Sequence, residues 1–246
     1  MGNIDIQEHK KPPANAKVII GIPDAGLVGL ISSTFLIDAL QMEEIASIES
    51  DLFPPVVVLH NGEPKSQMRA YAKDDIVVVI SETAIKAGAL RQVISDLVEW
   101  IGDIPGGISV SLSGAPVPNR VEIDQPEVFG VVVNTSDDVL ENMGVKKLQE
   151  AILVGPYATI LETCRKGSVP NLTLLAQSHL QYPDPGASAS VLKSAMSYLG
   201  RELDLDPLFE KAEEIRVKMR DVMRSTQKAM RDQGKEQEYE LPSMYV

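Results

Sequence analysis

Asp75-Ile-Val-Val-Val-Ile80 constrains this chain more than any other stretch. Consecutive β-branched residues with no polar face form a strand that other elements must cover on both sides. Lys17-Val-Ile-Ile-Gly-Ile22 reads the same way. Around these runs, apolar residues recur at helical spacing from Leu27 to Leu40 and from Ile85 to Ile101. In the second segment Leu90, Val93, Ile94, Leu97, Val98 and Ile101 make one broad stripe, ended by Gly102 and Pro105. Further strands are expected at 45–48, 56–60, 67–71, 108–112, 128–133, 151–154 and 171–176. Asn61-Gly62 is a hairpin turn signal, with 67–71 as its return strand. Thr135-Ser136-Asp137-Asp138 caps a short helix, Pro156 to Lys166 is another closed by Gly167, and Asp184-Pro185 opens one through Leu199. Strands alternating with helices predict an α/β fold with a largely parallel sheet between two helical layers, plus one β-hairpin.

Composition marks where that domain stops. Half of the residues from Arg201 to Glu240 are charged, against 24% for the whole chain. Asp206-Pro207 opens a helix expected to run to about residue 232. On it Leu208, Ile215, Val222 and Ala229 repeat every seven residues, with Ala212, Met219 and Thr226 at the offset position. An apolar seam of that kind is costly in water. It predicts a homo-oligomer with Leu208, Ile215, Met219 and Val222 in the contact, or else packing against the chain's own domain. The expected organisation is a flexible N-terminus over 1–15, an α/β domain over 16–200, a C-terminal helix over 201–233 and a flexible acidic tail over 234–246.

The net charge of −12 sets a field that repels nucleic acid and anionic membranes. No run of 18 apolar residues exists to span a bilayer, and Met1 to Ala16 is polar, so a cytoplasmic location is expected. Cys164 is the only cysteine, and His9, His60 and His179 are scattered, which argues against a multi-cysteine or paired-histidine metal site. No metal and no cofactor is expected.

Two places remain where chemistry could sit. The first is the crevice at the strand ends, where open α/β sheets bind ligands. Gly21-Ile-Pro-Asp-Ala-Gly26-Leu-Val-Gly29 links the first strand to the first helix, but its spacing fits neither the dinucleotide nor the P-loop pattern and it has no lysine. Pro23 and Gly26 would shape a tight turn there, and Gly29 would admit a close helix. Ser81-Glu82-Thr83, Asn134-Thr135 and Gln177-Ser178-His179 also follow strands; Glu82 and His179 could serve as acid and base if they converged, with Asp24 nearby.

The second place is the C-terminus. The glycine pattern of residues 21–29, Ser81-Glu82 after its β-branched strand, and Tyr182-Pro-Asp-Pro185 before a helix together resemble the proteasome assembly chaperone two family, over about residues 16 to 216. That resemblance implies a three-layer α/β/α domain similar to nucleoside phosphorylases. Some relatives carry an ATP-grasp-like ligase label, whose nucleotide-binding residues do not map onto this sequence position by position. Met244-Tyr245-Val246 resembles the hydrophobic–tyrosine–any-residue tail of proteasome activators and some assembly chaperones. By that resemblance Met244 is the apolar anchor, Tyr245 the aromatic one, and the Val246 carboxylate meets a lysine between core-particle α-subunits. The function expected is an ATP-independent binder of the proteasome core particle, an assembly chaperone or activator-like adaptor and not an enzyme. The alternative is an enzyme using the strand-end crevice, an ATP-grasp-like ligase or a phosphorylase-like transferase.

Overall fold

The structure, a computed structural model, describes residues 4–235. Met244, Tyr245 and Val246 lie outside the described residues. The elements in chain order are β1 (Asp5–Glu8), β2 (Lys17–Gly21), α1 (Val28–Leu40), β3 (Glu43–Glu49), β4 (Val58–His60), β5 (Glu63–Lys65), β6 (Met68–Lys73), β7 (Ile76–Ser81) and α2 (Ala87–Asp103). There follow β8 (Ile108–Pro116), β9 (Val128–Val133), α3 (Asp138–Met143), β10 (Lys146–Lys147), α4 (Pro156–Gly167), β11 (Asn171–Ser178) and α5 (Pro185–Leu199). The chain closes with α6 (Asp206–Glu210), α7 (Ala212–Lys218) and α8 (Arg220–Gln233).

One sheet of order β1-β3-β6-β7-β2-β8-β11-β9-β10 forms the middle layer. Its centre, β7-β2-β8-β11, is parallel; β1, β3 and β6 flank it antiparallel on one side, and β9 runs antiparallel to β11 on the other. The buried runs sit at that parallel centre, since only strands covered on both faces tolerate them. The two-residue pleat splits β2 between the layers. Ile19 joins the core under α1 and α5, whereas Val18 and Ile20 join the core under α2 and α4. In β7, Ile76, Val78 and Ile80 face the first layer and Val77 and Val79 the second. The stripe read on α2 is its buried face.

Four expectations need correction. The N-terminus is not free throughout: β1 pairs with β3, and Ile4 and Ile6 pack against the α2–α4 core. Asn61-Gly62 does turn a hairpin, but its return strand is β5, and β6 belongs to the main sheet. Residues 151–154 form no strand; β10 takes the edge beside β9. The C-terminal segment is one bent helical stretch in three pieces, with non-helical backbone at Lys211 and Met219. Hydrogen bonds of helical spacing still cross both breaks, from Lys211 N to Pro207 O (3.1 Å) and from Met223 N to Met219 O (2.9 Å).

Along this bent stretch the seam faces the domain. Leu208 is 1% exposed, and Ile215, Met219 and Val222 are partly buried against the core under α1 and α5. The stripe is therefore partly covered by its own domain, and Leu208, buried there, has no surface to offer a second copy. Leu208→Ala should lower stability by about 2–5 kcal/mol, measured by denaturant unfolding, because it empties a buried site between α6 and the domain. A change under about 1 kcal/mol would mean that the segment is not docked.

Candidate functional site

The strand-end crevice is built where β2, β7, β8 and β11 finish at Gly21, Ser81, Pro116 and Ser178. The loop after β2 enters it under tight steric control. Gly26 has φ +62°, the left-handed region that suits glycine, and a Cβ there would lie 3.1 Å from the His179 carbonyl oxygen. A Cβ on Gly29 would fall 2.2 Å from both the Leu112 carbonyl oxygen and the Tyr157 hydroxyl. Gly29 thus lets α1 close onto β8 and α4, and Gly26 lets the loop pass against the segment after β11.

Several backbone N–H groups of this loop are already engaged. Ile22 N donates to the Tyr157 hydroxyl (3.0 Å), which donates in turn to the Ile22 carbonyl (3.0 Å). Leu27 N donates to Asp24 O (2.9 Å), and Val28 N to Ala25 O. Burial pushes the Tyr157 hydroxyl far above its ordinary range, so it stays protonated as a structural strut.

Asp24, only 1% exposed, is the centre of the crevice. Its Oδ2 accepts from Ser113 Oγ (3.2 Å) and from Lys235 Nζ (2.8 Å), and Lys235 Nζ also donates to the Val154 carbonyl (2.7 Å). A residue from the end of the last helix therefore occupies the place where α/β proteins hold ligands. Beside it lies a second buried pair. Asp184 accepts Arg120 Nε (2.7 Å) and His179 N (3.1 Å) on Oδ2, and Arg120 Nη2 (2.9 Å) and Ala187 N (3.0 Å) on Oδ1. One carboxylate thus caps α5, holds the loop after β11 and clamps the 117–123 turn.

The residues considered for acid–base work do not share partners. Glu82 binds Arg69 and His60, the latter at 2.8 Å. Burial opposes the Arg69 charge, but hydrogen bonds to Tyr71 and Glu82 outweigh it and hold the guanidinium protonated. The His179 ring instead meets Tyr182 edge-on, with centroids 6.0 Å apart. Burial holds its pKa below the ordinary value, with Arg120 and Arg216 adding to the effect and Asp184 opposing it. Asn134 is at the other end of the sheet, because β9 is antiparallel to β11 and Val133 pairs with Asn171 at the start of that strand. Its amide donates to the Cys164 and Val169 carbonyls and so caps α4. Burial raises the Cys164 thiol to about 11, which makes it inert as a nucleophile near neutral pH. Among the described residues no cluster of three or more histidine, cysteine, aspartate or glutamate side chains is placed to hold a metal. No helix among them is long and apolar enough to cross a membrane.

Sequence reasoning missed Lys235, Arg120, Tyr157 and Ser113. None has a local signature, since each acts through a partner at least 64 positions away.

Comparison with known proteins supplies context. The profile of the PAC2 family matches residues 18–223. An uncharacterised protein of Methanocaldococcus jannaschii is 24% identical over 233 residues, covering 94% of this chain and 95% of that one. The crystal structure of Pyrococcus furiosus PbaA, an archaeal homolog of proteasome-assembly chaperone, superposes with a TM-score of 0.83 at 25% identity, over 92% of this chain and 99% of that one. Pyrococcus furiosus PbaB, an archaeal proteasome activator, shares the fold with a TM-score of 0.73 at 23% identity, over 90% of this chain and 99% of that one.

Proposed function

The chain belongs to the PAC2 family, and from that premise we propose that it binds the proteasome core particle without ATP, as an assembly chaperone or activator-like adaptor. The observation that carries this reading is the end-to-end likeness to PbaA, which is itself described as a homolog of a proteasome-assembly chaperone. Met244 and Tyr245 supply the apolar and aromatic anchors, and the Val246 carboxylate pairs with a lysine between α-subunits. Self-association would present several tails at once, and avidity then rises if their geometry lets them engage together.

The crevice supports this choice over the enzyme alternative. Its loop lacks the P-loop spacing and lysine, several of its N–H groups already have acceptors, and Lys235 fills its centre. Immobilised protein should therefore retain core particles equally with ATP and magnesium, with a non-hydrolysable analogue, and after enzymatic removal of nucleotide. Retention that disappears with the nucleotide would favour the ligase reading, and no retention under any condition would remove the proteasome reading.

A further inference from the structure

We infer that Lys235 is a positioning residue: its ion pair with Asp24 locks the end of the last helix into the strand-end crevice and fixes the point from which residues 236–246 leave. The partners are 211 positions apart, and their side chains are 3% and 2% exposed. Gln233 holds the same end from the other side, donating to the Ile85 carbonyl at 3.1 Å. Gly155, at φ +96°, makes the room: a Cβ there would lie 3.0 Å from Gln233 Oε1 and 3.8 Å from Lys235 Cδ.

Ending the helix does not require this arrangement. Gly234, at φ +76°, already terminates α8, and its N–H donates to the Arg231 carbonyl at 3.0 Å. A dry ion pair seldom adds stability over apolar packing, but removing one partner strands the other charge. What the pair specifies is a position. The Asp24 carboxylate, oriented by the Ser113 hydroxyl, and the Val154 carbonyl together receive a primary ammonium, and the chain supplies one from its own C-terminal segment.

The functional half of this inference rests on the tail reading proposed above. With the pair closed, a docking tail is tethered at Lys235. When it opens and the Gln233–Ile85 bond gives way with it, the last buried side chain of α8 is Met230, so the tether lengthens to residues 231–246. Effective concentration falls roughly as the −3/2 power of tether length, which is about twofold per tail and compounds over several.

The test uses the full chain with Lys235→Ala. Amide exchange at Leu27, which donates to Asp24 O, and at Gly234 should accelerate about tenfold or more. Core-particle binding should weaken about twofold or more. Propylammonium, which replaces the deleted part of the side chain, should restore both, and propanol should restore neither. Asp24→Asn, of nearly equal volume, should accelerate exchange in the same way and resist rescue. Unchanged exchange in both variants overturns the lock. Faster exchange with parental binding overturns the positioning role. The tail reading fails separately, if the intact protein binds no better than one lacking Met244 to Val246; the exchange data then decide the lock alone.

Discussion

Asp184→Ala should destabilise the protein by about 3–5 kcal/mol, the largest loss expected from any single crevice residue. The substitution leaves Arg120, 8% exposed, without the carboxylate that takes two of its N–H groups. Only its Nη1 bond to the Ile123 carbonyl, at 2.6 Å, would remain. The same change removes the cap on Ala187 N at the start of α5, a loss of about 0.5–2 kcal/mol by itself. It also frees His179 N after β11. Asp184→Asn separates these contributions, because asparagine caps a helix as well as aspartate does but cannot neutralise Arg120. Urea unfolding should place Asn between the parent and Ala. If Ala and Asn are both within about 1 kcal/mol of the parent, the pair is not organising the crevice.

The parts of the fold that were legible in the sequence are those whose cause is local. A β-branched run such as 76–80 has no solvent face, and the 90–101 stripe has one apolar side, so each declares its element without its neighbours. Asp184-Pro185 announced a helix start for the same reason. Pairing partners were less legible. Asn61-Gly62 signals a turn, yet nothing local says that its return strand is β5, because β6 is equally strand-like and is claimed by β3 and β7. Residues 151–154 look like a strand by composition, but they run as extended loop into the crevice, where the Val154 carbonyl meets Lys235.

The seam on the last helical segment illustrates a different limit. Heptad spacing shows that one side is apolar; it does not say whether another copy or the same chain covers it. Here α1 and α5 do. Lys235 was the least legible of all. In a stretch where half the residues are charged, a lysine reads as solvated, and only the fold brings Asp24 to it. Glu82 and His179 sit at the ends of two parallel strands, as read, but their side chains turn to separate partners.

Removing Met244 to Val246 should abolish stable capture of core particles while leaving the fold untouched, since the described core is complete without them. Tyr245→Ala should weaken each docked tail by about 2 kcal/mol or more, the loss typical of a buried aromatic anchor. Stretch 236–246 spans at most about 36–40 Å when extended, which lets its last residues enter a pocket well away from Lys235. On the proposed tail mechanism, Pro242 would limit what must be ordered on docking. Side-chain loss alone cannot separate a specific dock from a sticky end, because Met244 and Tyr245 are apolar in either case. The carboxylate can. Appending one residue after Val246 keeps every side chain and moves only the terminal charge away from the lysine proposed to receive it. Core-particle binding by that extended protein, measured beside the parent at equal concentration, is the most direct test. The extension should reduce binding to the level of the protein lacking Met244 to Val246. Parental binding by the extended protein would rule out docking through the terminal carboxylate.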